Sequence, residues 1–278
     1  MPFRTVLTIA GIGPADRDMK SALDLCEEIE AHLSVLLIAM AAPPPVGEYA
    51  ISLSQTWLEE REQDAKALTD KAEALETLLA KRGLSADLST DYVEEAGAEG
   101  TIGTRARYSD LVLVGPDVLA TVTLKRHVIN GVLFHAQRPL LLLPEGAKPS
   151  LRPQRILIGW NSSLEAARAI REAAELISQA TDVRVVMVDP QSADRANGPE
   201  PGADVAAYLA RHGAKVTVDR LPSSGLTVAE LLKRHAVDVA ADMIVMGAYG
   251  HTRLRERIFG GVTQEMLTRS ATPVFLAR

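Results

Sequence analysis

The sequence has little of the chemistry on which several classes of protein depend. Its single cysteine, Cys26, excludes an intramolecular disulfide and a thiolate metal cluster. Aromatic residues make up 4% of the chain, too few for the stacking surfaces that bind single-stranded nucleic acid. The 30 basic and 36 acidic side chains give a net charge of −6, which disfavours general binding of DNA or RNA. No run of about 20 apolar residues occurs, so the sequence predicts no membrane insertion.

The N-terminal region lacks the features of an export signal. Its apolar run, Thr5–Ala10, is short, is followed by Gly11, and has neither a basic segment before it nor a small-residue cleavage site after it. A lone cysteine also suits a reducing compartment. We therefore expect a cytoplasmic protein that does not bind nucleic acid and does not insert into a membrane.

Ten short apolar runs alternate with segments of helical periodicity. Runs of this length, rich in leucine and β-branched residues, are typical of strands buried on both faces. The alternation predicts an α/β protein with doubly wound parallel sheets and helices on both faces. The predicted strands are Thr5–Ala10, Ser34–Met40, Asp87–Val93, Leu111–Gly115, Leu140–Leu143, Arg155–Trp160, Arg184–Val188, Lys215–Leu221, Met243–Gly247 and Val274–Ala277.

The two halves of the 278-residue sequence resemble each other, which predicts a duplicated domain and agrees with a size of about 150 residues per domain. The segment DLVLVG ending at Gly115 parallels DMIVMG ending at Gly247, and other strands match in the same order. Proline and glycine cluster in residues 144–153, which predicts domains at 1–146 and 152–278. A helix is predicted at Ser54–Arg82, ending at Gly83, and a polar loop at Asp189–Ala203.

A glycine-rich segment follows the strand Met243–Gly247. Glycines let a backbone approach an anion closely, and the N–H groups at the start of the next helix, Val262–Ser270, favour phosphate. Thr263 adds a hydroxyl group in the first turn of that helix. The spacing is G-x2-G-x9-G, followed by one more glycine, and the glycines concerned are Gly247, Gly250, Gly260 and Gly261.

With this motif in a duplicated α/β pattern, the chain resembles a tandem universal stress protein. The resemblance implies two five-stranded sheets of order 3-2-1-4-5, similar to the adenine nucleotide alpha hydrolase fold. It also implies binding of ATP or AMP, with Mg²⁺ as counter-ion, by the glycine motif together with Val262 and Thr263. The sequence departs from the family at Gly261, where the nucleotide-binding members carry a serine or threonine.

Two more positions enter the predicted site through the resemblance. Asn161 stands where the family places an aspartate near the adenine, and it can both donate and accept hydrogen bonds. An N-cap for the helix that begins near Ser163 is an equal alternative. Val188 corresponds to a position whose backbone contacts the base, and an ordinary core valine is equally compatible with the sequence.

The first half lacks the residues of this predicted nucleotide site. Gly115 is followed by Pro116, which removes an N–H donor, and no glycine follows three residues after Gly115. Only Asn130-Gly131-Val132 echoes the second glycine cluster, and Gly11 stands near the place of the adenine-binding aspartate. We expect this half to bind no nucleotide.

Catalytic patterns are weak. The segment Gly11-Ile12-Gly13 lacks the third glycine of a dinucleotide fingerprint, and no nucleophile elbow or zinc-protease spacing occurs. Cys26 reads as a core residue. One histidine and three arginines near the glycine motif could touch phosphate, although residues of this kind in a loop are more often simply solvated: His251, Arg253, Arg255 and Arg257.

The sequence therefore predicts a regulatory stress-response protein that binds an adenine nucleotide in its second domain, with no enzymatic turnover beyond slow ATP hydrolysis. The alternative is a stress protein that binds no nucleotide and acts through contacts with a protein partner. The apolar strand Val274–Ala277 suggests a monomer or a homodimer, because an apolar edge strand tends to pair or to be covered.

Overall fold

A computed structural model describes residues 3–44, 50–190, 200–249 and 261–278. The chain divides into two compact units, Phe3–Ala136 and Gln137–Arg278. We call them the first and second unit.

The first unit is a parallel sheet with helical connections. Its strand order is β3-β2-β1-β4, and every neighbouring pair is parallel. Successive residues of β2 are buried, so both faces of the sheet are covered. The strands are β1 (Thr5–Gly11), β2 (His32–Ala41), β3 (Ala86–Glu94) and β4 (Leu111–Val114). The helices are α1 (Arg17–Ile29), α2 (Ala50–Arg82), α3 (Ala98–Ala106), α4 (Pro116–Ala120) and α5 (Val122–Asn130), with a π turn at Gly131–Ala136 and a 3₁₀ turn at Glu95–Gly97.

The long helix of the first half is confirmed and begins four residues before the predicted start, at Ala50. It ends at Arg82, where Gly83 takes a left-handed φ of 67° that suits a helix C-terminus. Leu75 and Leu79 are buried on its inner side. Cys26 is fully buried on α1, as its interpretation as a core residue requires.

The second unit repeats this arrangement and adds two strands, β10 and β5. Its order is β8-β7-β6-β9-β10-β5, and every pair is parallel except β10 with β5. The strands are β5 (Leu140–Leu142), β6 (Arg155–Gly159), β7 (Asp182–Val188), β8 (Val216–Leu221), β9 (Met243–Gly247) and β10 (Val274–Ala277). The helices are α6 (Leu164–Glu172), α7 (Ala174–Gln179), α8 (Ala203–Arg211), α9 (Val228–Asp238) and α10 (Gly261–Arg269).

The doubly wound α/β fold and its strand order are confirmed. Strands β6, β7, β8, β9 and β10 are ordered 3-2-1-4-5 across the sheet of the second unit. The apolar strand β10 is not an edge, because it lies between β9 and β5. The compact units meet at residues 136 and 137, and the predicted sequence boundary at 144–153 stays a prediction.

Within the described residues, no helix is long and apolar enough to cross a membrane.

Candidate functional site

The predicted site lies where two neighbouring parallel strands of the second unit end. Gly159 of β6 is in register with Met246 of β9. Asn161, two residues after β6, and Gly247, the last residue of β9, therefore lie at the same edge of the sheet. The chain leaves β6 toward one side and β9 toward the other in this strand order, which makes this edge the usual place for a ligand in doubly wound proteins.

Gly247 is required by the close approach of α6. A Cβ atom on Gly247 would lie 2.5 Å from the Ala166 backbone nitrogen and 2.6 Å from the Glu165 carbonyl carbon. Both atoms belong to backbone in the first turn of α6 and cannot move aside as a side chain would. The glycine thus brings the N-terminus of a nine-residue helix against the end of β9.

The N-terminus of α6 is capped by Ser163, not by Asn161. Ser163 Oγ accepts a hydrogen bond from the Ala166 N–H at 3.2 Å. Asn161 Oδ1 accepts from the Ser163 N–H at 3.2 Å and so shapes the turn ahead of the helix. The capping alternative for Asn161 was wrong by two residues, because serine at 163 fulfils that function. Asn161 itself is exposed at the sheet edge.

Thr263 holds the segment after β9 against α10. Its side chain is 3% exposed, and its Oγ1 accepts a hydrogen bond from the Tyr249 N–H at 3.4 Å. Tyr249 has a left-handed φ of 62° and is buried, and burial raises its pKa. The sequence pattern gave Tyr249 no function, because the contact that places it spans 14 residues.

Gly261 begins α10 and has open space around it. A Cβ atom there would meet nothing within 4 Å. The next residue, Val262, is half-buried. The helix thus begins one residue before the predicted start, and a side chain at 261 would project freely beside its N-terminus.

Val188 ends β7 and pairs with Leu221 of β8. The following residue, Asp189, has a left-handed φ of 45°, and its Oδ1 accepts a hydrogen bond from the Ser223 N–H at 3.0 Å. Hydrogen bonds with Ser223 lower the pKa of Asp189. The turn after β7 is therefore fixed at the same edge of the sheet, two strands from β9.

The structure places Asn161 just after β6, Gly247 at the end of β9, and Gly261, Val262 and Thr263 in the first turn of α10, while Val188 ends β7, the strand next to β6. The remaining predicted residues lie outside the described part of the chain: Gly250, His251, Arg253, Arg255, Arg257 and Gly260. Most of the predicted loop at Asp189–Ala203 also falls there.

The corresponding edge of the first unit is organised by one of its own carboxylates. Asp18, on α1, accepts hydrogen bonds from the N–H groups of Asp117 at 2.8 Å and Val118 at 3.0 Å. A Cβ atom on Gly115 would collide with the Asp18 carboxyl group. The backbone N–H groups that follow β4 are thus already hydrogen-bonded to the Asp18 side chain.

Burial also raises the pKa of Asp18 above its ordinary value of 3.8, against the opposing effect of the Asp117 and Val118 N–H groups. The folded protein therefore holds this proton more tightly than the unfolded chain. The resulting stability is fully present below the unfolded pKa and is lost as the pH rises through the folded pKa. We expect urea unfolding to show that the wild type loses stability relative to Asp18→Asn as the pH rises above about 4.

The control for this pH series is Asp70→Asn, a change of an exposed carboxylate on α2. Its unfolding free energy should follow that of the wild type at every pH. Parallel curves for the wild type and Asp18→Asn would contradict the assignment of the titration to Asp18.

The chain thus consists of two doubly wound α/β units. In the second unit, Gly247 ends β9 close to the start of α6, and α10 begins after the same strand. Residues 153–278 match the sequence profile of the Universal stress protein family. This part of the chain is a domain of that family, which confirms the resemblance for the second half of the sequence. No curated protein sequence matches the chain.

Solved structures share the fold over the full length of the chain. A universal stress protein from Archaeoglobus fulgidus DSM 4304 is 16% identical, with a TM-score of 0.65 over 98% of this chain and 96% of its own. A candidate universal stress protein from Pseudomonas aeruginosa UCBPP-PA14 is also 16% identical, with a TM-score of 0.58 over 99% and 93%. A protein of unknown function from Pseudomonas aeruginosa PAO1 is 15% identical, with a TM-score of 0.56 over 99% and 92%. At these identities the comparison establishes the fold of both halves.

Proposed function

We propose that the second unit binds an adenine nucleotide, ATP or AMP, at the carboxyl edge of β6 and β9. The observation that carries this proposal is the exclusion of any side chain at Gly247 by the first turn of α6. Without a side chain at Gly247, the carboxyl ends of β6 and β9 face backbone atoms and the N-termini of two helices, α6 and α10. Free N–H groups and the helix dipole at such positions favour phosphate.

The residues present fit the two parts of a nucleotide. The start of α10 at Gly261 and Val262, with the glycines before it, would hold the phosphates. Asn161 and the backbone at Val188 would face the base. The described residues contain no group of histidine, cysteine, aspartate or glutamate suited to holding a metal ion. Mg²⁺ would therefore accompany the phosphates as a counter-ion.

We propose a regulatory role without turnover. Hydrolysis of ATP needs a group that takes a proton from water or orients it. Near the described edge, the raised pKa of Tyr249 keeps its hydroxyl protonated at neutral pH, so it cannot act as the base. Asn161 is neutral. The nucleotide would act by binding one conformation more tightly than another.

A stress protein without nucleotide is the second candidate, and two contacts favour it. Asn161 Oδ1 and Thr263 Oγ1 both accept hydrogen bonds from backbone N–H groups. Two of the polar side chains expected to meet a nucleotide are thus engaged within the protein. Such a protein would act in the cytoplasm through contacts with a protein partner. It would be a monomer or a homodimer, and light scattering measures which of the two forms.

Thermal unfolding distinguishes the two candidates. Millimolar ATP with Mg²⁺ should raise the melting temperature, because a ligand that binds only the folded state stabilises it by mass action. Gly250→Val should abolish the rise. Ile12→Val, a change in the first unit, is the control and should keep it. An unchanged melting temperature with both ATP and AMP would favour the second candidate.

A further inference from the structure

The first unit contains a cavity of about 430 Å³ at the carboxyl ends of β1 and β2. This volume is within the range of small-molecule sites. Its walls come from β1, β2, the start of α1, and α4 with α5, while Leu75 of α2 closes one side. Most of its lining is apolar and includes Ala10, Ile12, Ile38, Met40, Val118 and Leu124.

The cavity is unsuited to a phosphate group. Asp18 already accepts hydrogen bonds from the N–H groups of Asp117 and Val118, the two residues after Pro116. A phosphate placed there would have to displace this carboxylate or lie beside it. A phosphate beside the Asp18 carboxylate would be repelled, because both groups are negatively charged.

The charged side chains of the lining are mostly acidic. Four of its side chains are carboxylates: Asp16, Asp18, Asp64 and Asp117. Two cations compensate part of this charge, since Lys71 pairs with Asp16 and Arg17 Nε lies 2.6 Å from Asp117 Oδ1. The remaining balance favours a positively charged ligand.

Asp64 is the carboxylate left for such a ligand. It lies on α2, is half-buried, and makes no hydrogen bond or ion pair within the described part of the chain. It stands at the wall of an apolar cavity, so a ligand with an apolar body and a cationic end would match both features. An ammonium group beside it would gain a charge-assisted hydrogen bond.

We propose that this cavity binds a small organic amine with an aromatic or aliphatic body, held by Asp64. The site is separate from the nucleotide site proposed for the second unit and uses the opposite ligand charge. The duplicated fold would thus carry two ligand sites of different chemistry, one in each unit.

Tryptamine and indole-3-propionate test the proposal, because they share an indole body and differ in the charge of the side chain. Calorimetric titration of the full chain should show binding of tryptamine and at least about tenfold weaker binding of indole-3-propionate. Hydrogen exchange should then slow in residues 10–19 and 117–124, which line the cavity. Protection confined to the second unit would overturn the assignment.

The matched variants are Asp64→Asn and Asp70→Asn, two changes on the same helix of which only Asp64 lines the cavity. Asp64→Asn should weaken tryptamine binding about fivefold, and Asp70→Asn should leave it unchanged. Neither should alter the effect of ATP on the melting temperature, so failure here and failure of the nucleotide proposal are separable. Equal binding of the two indoles, no binding of tryptamine, or an unaffected Asp64→Asn would each refute the proposal.

Discussion

Gly247→Ala should destabilise the second unit and remove nucleotide binding. The added methyl group would lie 2.5 Å from the Ala166 nitrogen and 2.6 Å from the Glu165 carbonyl carbon, so the first turn of α6 must shift. Overpacking of this kind costs about 1–3 kcal/mol of unfolding free energy. Because the shift moves the start of α6 and the end of β9, which both border the proposed nucleotide site, ATP affinity should fall at least about tenfold. Urea unfolding and calorimetry measure the two effects.

Gly261→Ala is the matched control for this variant. It adds the same methyl group at the same edge of the sheet, and that group would meet nothing within 4 Å. Its unfolding free energy should stay within about 0.5 kcal/mol of the wild type. If Gly247→Ala were as stable as Gly261→Ala and bound ATP equally well, the packing of α6 against β9 would have no bearing on the site.

Gly261→Ser should strengthen nucleotide binding. It places a hydroxyl group at the start of α10, where the nucleotide-binding universal stress proteins carry serine or threonine. Open space surrounds this position, so the side chain can turn toward a phosphate without displacing its neighbours. One hydrogen bond to a charged group, partly exposed to water, corresponds to about a five- to tenfold gain in affinity.

Calorimetric titration of ATP into Gly261→Ser and Gly261→Ala isolates the hydroxyl group. Both variants remove the glycine, and only serine can donate to phosphate. Equal affinities would show that residue 261 does not face the phosphates.

The strands were predictable from sequence because each is a short apolar run buried on both faces. Residues 34–40 show this well, since the whole run lies within β2 and every residue except Met40 is buried. The end of α2 was also predictable, because Gly83 supplies the left-handed conformation that a helix C-terminus needs. Local patterns of this kind depend on few neighbours.

The contacts that shape the two strand edges were not predictable from local patterns. Asp18 reaches the N–H groups of Asp117 and Val118 across about a hundred residues of sequence. Thr263 likewise accepts from Tyr249, so a hydroxyl assigned to phosphate holds a turn in place. Asn161 and Ser163 are both good capping residues, and only the geometry of the turn assigned the cap to Ser163.

The proposal that only the second unit binds nucleotide follows from the difference between Gly247 and Gly115. Gly247 lies against a helix N-terminus, whereas Gly115 lies against the carboxylate of Asp18. The most direct measurement is the stoichiometry of ATP binding to the full chain by calorimetry, with Mg²⁺ present. We expect one ATP per chain in the wild type and in Asp18→Asn, and none in Gly250→Val. No binding by the wild type, or two sites per chain, would contradict the proposal.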